Sequence, residues 1–122
     1  MERRLLMIDD DIALGKLVQE FLTSEGWSCY WVDNGEEGYQ EALALKPDVV
    51  LLDLNMPDMN GVEFVRELHE HTSFPRTPVI VTTAEPEGSD LVRDVTALGI
   101  AALVRKPWKP HELKAVIDEV VA

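Results

Sequence analysis

Four short apolar runs punctuate the chain: LLMI at 5–8, VVLL at 49–52, VIV at 79–81 and AALV at 101–104. None has a polar residue inside it, and an unbroken apolar run of this length suits a strand covered on both faces, as in a parallel sheet. A fifth run, WSCYWV at 27–32, is rich in aromatic residues and predicts another strand. A different period lies between these runs. Leu14, Leu17, Val18, Phe21 and Leu22 recur at i, i+3, i+4, i+7 and i+8, which predicts a helix burying these five residues and ending at Gly26. Leu113, Val116, Ile117, Val120 and Val121 repeat that spacing, with Pro110 suited to the first helical turn. Weaker patterns predict helices over 35–45, 61–71 and 88–98, the last with the poorest amphipathic order.

Strand and helix thus alternate five times, with no linker, repeat or low-complexity tract between them. Right-handed crossovers turn that order into an α/β three-layer sandwich, a doubly wound (βα)5 fold whose five-stranded parallel sheet carries helices on both faces. The flavodoxin-like strand order 2-1-3-4-5 is the expected solution.

Composition narrows the partners. The chain has 122 residues, enough for one packed core, and 23 acidic against 11 basic residues give a net charge of -12. Phosphate contacts need clustered cations, so neither direct nucleic-acid binding nor attraction to an anionic membrane is expected, and a protein or a metal ion is. The single cysteine, Cys29, cannot form an intramolecular disulfide and fits a reducing cytoplasm. It alternates with Trp27 and Trp31 and reads as a small buried apolar residue. No 18-residue apolar run exists, and MERRLLMIDDD turns acidic after four apolar residues, so neither a membrane span nor a secretory signal is expected.

Polar chemistry follows each of the four runs: Asp9, Asp10 and Asp11 after the first, Asp53 after the second, Thr82 and Thr83 after the third, Arg105 and Lys106 after the fourth. The carboxyl ends of parallel strands share one edge of an open sheet, and ligands bind in the crevice there. Carboxylates, a hydroxyl and an ammonium should therefore converge. Asp11 reads as the cap of the next helix. Capping does not account for Asp9 and Asp10, because adjacent carboxylates repel unless a cation compensates. Hard oxygen donors favour Mg²⁺, with Mn²⁺ as the alternative. His69 and His71 are two apart and point to opposite sides of a helix, so they form no chelating pair. His111 reads as a solvated residue of the last helix, and Gly35 and Gly61 as turn residues at helix starts.

These residues carry a resemblance over about residues 4–122. The acidic cluster IDDD, the segment LLDLNMPDMNG at 51–61, the stretch PVIVTTAE at 78–85 and RKP at 105–107 together resemble the response-regulator receiver domain, the phosphoacceptor module of two-component signalling. The resemblance implies a phosphoprotein in which Asp53 accepts a phosphoryl group from a histidine kinase or phosphotransfer protein in a Mg²⁺-dependent reaction. It makes Asp10 a direct metal ligand, Asp9 a carboxylate acting through metal-bound water, and Asn55 a ligand through its backbone carbonyl. It gives Thr83 the switch hydroxyl, Lys106 the cation on the phosphoryl group, and Asn55 and Glu85 the tuning of a short phosphoryl lifetime. It also implies a cis peptide between Lys106 and Pro107, and a switched distal surface that controls a downstream partner or an output domain, from a monomer or a phosphorylation-dependent dimer. By this reading residues 1–122 are one receiver domain without an output domain, and the chain is not a turnover enzyme. Receivers often carry Tyr or Phe where this chain has Leu103, and usually Phe where it has Trp108. Two alternatives stand beside this: a receiver-like interaction module that takes no phosphate, and a haloacid-dehalogenase-type phosphatase. The latter would place a second Asp at the position of Asn55.

Overall fold

The structure is a computed structural model that describes residues 2–57, 59–71 and 77–122, so Asp58 of the LLDLNMPDMNG segment lies outside the described residues. The strands are β1 (Arg4–Ile8), β2 (Ser28–Val32), β3 (Val49–Asp53), β4 (Val79–Thr83) and β5 (Ala102–Arg105). The helices α1 (Ile12–Ser24), α2 (Gly35–Leu45), α3 (Gly61–Glu70), α4 (Asp90–Thr96) and α5 (Pro110–Val121) alternate with them. All strand pairs are parallel and the order is β2-β1-β3-β4-β5, as expected.

Side chains alternate across each strand, and here both faces are covered. Leu6, Ile8, Val50, Leu52, Val79 and Val81 face one core with Ala42 of α2, Phe64, Val65 and Leu68 of α3, and Val95 of α4. Leu5, Met7, Val49, Leu51 and Ile80 face the other with Val18 and Leu22 of α1 and Leu113 and Ile117 of α5. Every residue of β3 and β4 is buried, which is why those runs carry no polar side chain until the sheet's edge. Cys29 is buried as expected, and burial pushes its thiol up to about 12, so it offers no thiolate near neutral pH.

The helix starts cluster along the carboxyl edge of the sheet, and four carry a side-chain cap. Asp11, Asn34, Asn60 and Ser89 accept hydrogen bonds from the backbone N–H of Leu14, Glu37, Glu63 and Val92 at 3.1, 2.8, 3.1 and 3.2 Å. The capping role read for Asp11 is observed.

Three local expectations are corrected. Leu17 was expected on the buried face of α1, yet it is 50% exposed, because the buried arc of that helix is centred on Gly15, Val18 and Leu22. The helix expected over 88–98 spans only Asp90–Thr96: Ser89 caps it, and Gly88 before it sits at φ 84° in a turn. Gly35 and Gly61 serve packing instead of turn geometry. They are the first residues of α2 and α3, and an ideal Cβ would lie 2.7 Å from Met59 Cγ and 2.4 Å from Leu54 Cδ1 respectively.

Candidate functional site

The register that aligns β3, β4 and β5 pairs Asp53 with Thr82 and Thr83 with Arg105, so the polar residues after each run meet at one edge. Asp9 and Asp53 are 1% and 3% exposed. Each is held in the same way. One oxygen accepts from a backbone N–H two residues on, Asp11 N to Asp9 Oδ1 at 2.9 Å and Asn55 N to Asp53 Oδ1 at 3.0 Å. The other oxygen faces Lys106, whose Nζ lies 3.1 Å from Asp9 Oδ2 and 3.4 Å from Asp53 Oδ2. Asp10 is exposed and its side chain has no hydrogen bond to any described residue.

Among the described residues, Asp9, Asp10 and Asp53 form the one group of three potential metal-ligating side chains, with ligand atoms within 4.8 Å of one another. Burial raises the Asp9 carboxyl above its ordinary value; the charge of Asp53 adds to this, and the Asp11 N–H and Lys106 only partly offset it. For Lys106 burial works to lower the ammonium, but Asp53 and Asp9 together outweigh it and the net shift is upward. Lys106 therefore stays charged through the neutral range. Three carboxylates against one ammonium leave an excess of negative charge, and two of the three are out of water. A compact divalent cation with oxygen preference fits that donor set: Asp9, Asp10 and Asp53 could hold Mg²⁺ while leaving coordination positions for water or phosphate oxygens. The open side, at Asp10, borders a cavity of about 570 Å³ lined also by Asn34, Met56 and Met59.

Beyond the carboxylates a second cluster forms between the ends of β3 and β4. Thr83 Oγ1 donates to Asn55 Oδ1 at 3.0 Å, and the backbone N–H groups of Ala84 and Glu85 donate to Asn55 Oδ1 at 2.8 Å and to Thr83 Oγ1 at 2.9 Å. Asn55 Nδ2 reaches Glu85 Oε1 at 3.4 Å. Thr83, Asn55 and Glu85 are thus in one hydrogen-bonded network. Arg105, which sequence reasoning left without a role, donates from its guanidinium to the carbonyl of Glu85 and ties β5 to this loop. Lys106–Pro107 is a cis peptide. Leu103 sits partly buried, paired with Val81 in the core that also holds Val95. Trp108 packs on the opposite core, its indole N–H buried without a partner among the described residues. His69, His71 and His111 are not part of the acidic group.

Comparison with known proteins agrees with this arrangement. The family profile described as the response regulator receiver domain matches residues 5–118, and this chain belongs to that family. Among curated relatives it is 36% identical over 118 residues to the cell cycle response regulator CtrA of Brucella ovis, covering 97% of this chain and 50% of that protein. It is 30% identical over 122 residues to the probable transcriptional regulator ycf29 of Pyropia yezoensis, covering 100% of this chain and 54% of that protein. The chain therefore spans about half the length of the curated relatives it matches. In three dimensions it is similar to the chemotaxis response regulator CheY4 of Vibrio cholerae, with a TM-score of 0.90 at 27% identity, covering 98% of this chain and 99% of that one. A CheY-like receiver domain protein from Methanospirillum hungatei matches with a TM-score of 0.91 at 25% identity over 99% of this chain and 94% of that one. Receiver domains are signalling modules of two-component systems, not enzymes that turn over a separate substrate, and they bind Mg²⁺ at an acidic cluster.

Proposed function

We propose that this chain accepts a phosphoryl group on Asp53 from the phosphohistidine of a partner kinase or phosphotransfer protein, with Mg²⁺ bound, and that the modified form switches a distal surface. The supporting observation is the buried Asp53 carboxylate, with one oxygen on the Asn55 N–H, the other 3.4 Å from Lys106, and Asp9 and Asp10 beside it. A carboxylate attacking an anionic phosphoryl group needs charge neutralisation more than acid–base help. Lys106 supplies part of it. Asp9, Asp10 and Asp53, with the backbone carbonyl of Asn55, would hold Mg²⁺ there, and the bound ion would supply the remaining neutralisation of the phosphoryl charge.

An oxygen of Asp53 forms the new bond to phosphorus in line with the departing imidazole nitrogen, which keeps the electron pair of the broken P–N bond. The product is an acyl phosphate. Its oxygens compete for the Thr83 hydroxyl, which now donates to Asn55, and movement of that hydroxyl biases β4, β5 and α4 toward a second arrangement. Leu103 takes the place of an aromatic switch, so this rearrangement runs through aliphatic packing beside Val81. The site belongs to a cytoplasmic signalling protein whose output lies in a downstream protein or a further domain.

Incubation with Mg²⁺ and acetyl phosphate, followed by intact mass spectrometry, tests the acceptor. The expected result is one hydroxylamine-labile phosphoryl adduct on the parent and none on Asp53→Asn. Adduct formation on both proteins alike, or on neither after rapid quenching, would remove Asp53 from the role. In the same time course Asn55 with Glu85 predicts an adduct that decays well within hours once the donor is removed.

A further inference from the structure

We infer that Trp31 is a positioning residue for the acidic pair, acting through one hydrogen bond for which Gly15 makes room. The inference rests on the reading of Asp9 and Asp10 as metal-binding carboxylates given above. Trp31 lies in β2 opposite Met7 of β1, and its indole crosses to the loop beyond β1, where Nε1 donates to the backbone carbonyl of Asp9 at 2.8 Å. The indole lies against Gly15 of α1. An ideal Cβ there would be 2.5 Å from both Cε2 and Nε1 of Trp31, the second being the donor atom itself. Glycine inside a helix costs about 1 kcal/mol relative to alanine. At Gly15 that cost secures the space in which the donor reaches the carbonyl.

The bond matters because of what it holds. The Asp9 backbone N–H donates to the carbonyl of Val32 at 3.1 Å, its side chain is tied to the Asp11 N–H and to Lys106, and its carbonyl is tied to Trp31. That carbonyl belongs to the planar peptide joining Asp9 to Asp10, so fixing its oxygen also orients the bond from which Asp10 departs. Asp10 has no side-chain hydrogen bond to a described residue, and its direction is inherited from that plane. Without the indole bond Asp9 keeps its other three ties, while the peptide leading to Asp10 loses its own.

Groups that orient metal ligands from outside the coordination sphere typically change metal affinity by about 10–100-fold when removed. Mn²⁺ binding followed by electron paramagnetic resonance, with Mg²⁺ as competitor, reads this without any phosphotransfer. Trp31→Phe keeps an aromatic ring in the strand but loses the donor together with part of the indole's volume; Gly15→Ala improves helix propensity and drives the indole away from the other side. Each should weaken both ions by roughly 10-fold, with circular dichroism unchanged. Tyr30→Phe, which alters the same strand at a hydroxyl bonded to Glu2, should leave affinity as in the parent. Parent-like affinity in Trp31→Phe, or an equal loss in Tyr30→Phe, would overturn the inference while leaving the proposed function standing. A parent that binds neither ion would defeat the proposed function itself, and this inference with it.

Discussion

Asp9 is held under opposed demands. It is buried beside a second carboxylate, and its one cationic partner among the described residues is shared with Asp53. A folded-state carboxyl raised above its unfolded value binds its proton more tightly in the native protein. The ionised group therefore weakens the fold at neutral pH. That deficit closes as pH falls through the raised folded value, and it is gone below the unfolded value of 3.8. Asp9→Asn in Mg²⁺-free buffer at pH 7 should melt higher by about 4 °C, corresponding to roughly 1 kcal/mol. Melting curves from pH 7 down to the acid range should show the two proteins converging, and a constant gap across that range would contradict the burial argument. At this scale the positions of the carboxylates, Thr83 and Lys106 were legible because each lies within two residues of the end of an apolar run. Trp31 and Arg105 were not, since an indole or an arginine within a strand is ordinary until its partners are known. Gly15, inside a strongly periodic helix, is the local signal that could have flagged a close approach.

At the scale of elements the α2 boundary, 35–45, coincides with the helix expected from sequence, and the four side-chain caps explain why helices begin just past the sheet's edge. The end of α2 is less favourable. Lys46 closes it at φ 49°, ψ 61°, a left-handed conformation that opposes a side chain. Lys46 is exposed and its backbone N–H, which bonds the carbonyl of Ala42, survives substitution. Lys46→Gly should therefore stabilise the protein by about 0.5–1 kcal/mol, seen as a higher urea midpoint at unchanged slope. A lower midpoint would mean that the lysine side chain contributes more than its strain removes. The shortening of α4 and the exposure of Leu17 were illegible for one reason. Periodicity reports which positions are apolar, whereas the width of the buried arc depends on what packs against it.

On the scale of the whole molecule, a net charge of -12 concentrates repulsion, and the acidic edge is where a divalent cation relieves it most. Mg²⁺ at 100 times its dissociation constant should add about 2.7 kcal/mol, or roughly 10 °C in melting temperature for a domain of this size. Asp10→Asn should fold normally and lose most of that rise, because it removes the exposed carboxylate of the acidic group and leaves the buried pair with Lys106 intact. An equal rise in both proteins, reproduced by NaCl at matched ionic strength, would reduce the effect to screening. The order of strands and helices, the doubly covered sheet and the residues at the ends of its strands were determined by the sequence alone, since period, run length and capping residues are properties of neighbours along the chain. Only the tertiary structure decided that one ammonium spans Asp9 and Asp53, that Asn55 gathers Thr83 and Ala84, and that an indole reaches the carbonyl of Asp9. Those contacts join residues 22 to 97 positions apart, and which atoms meet at such separations is set by strand register and helix packing, which no local pattern encodes.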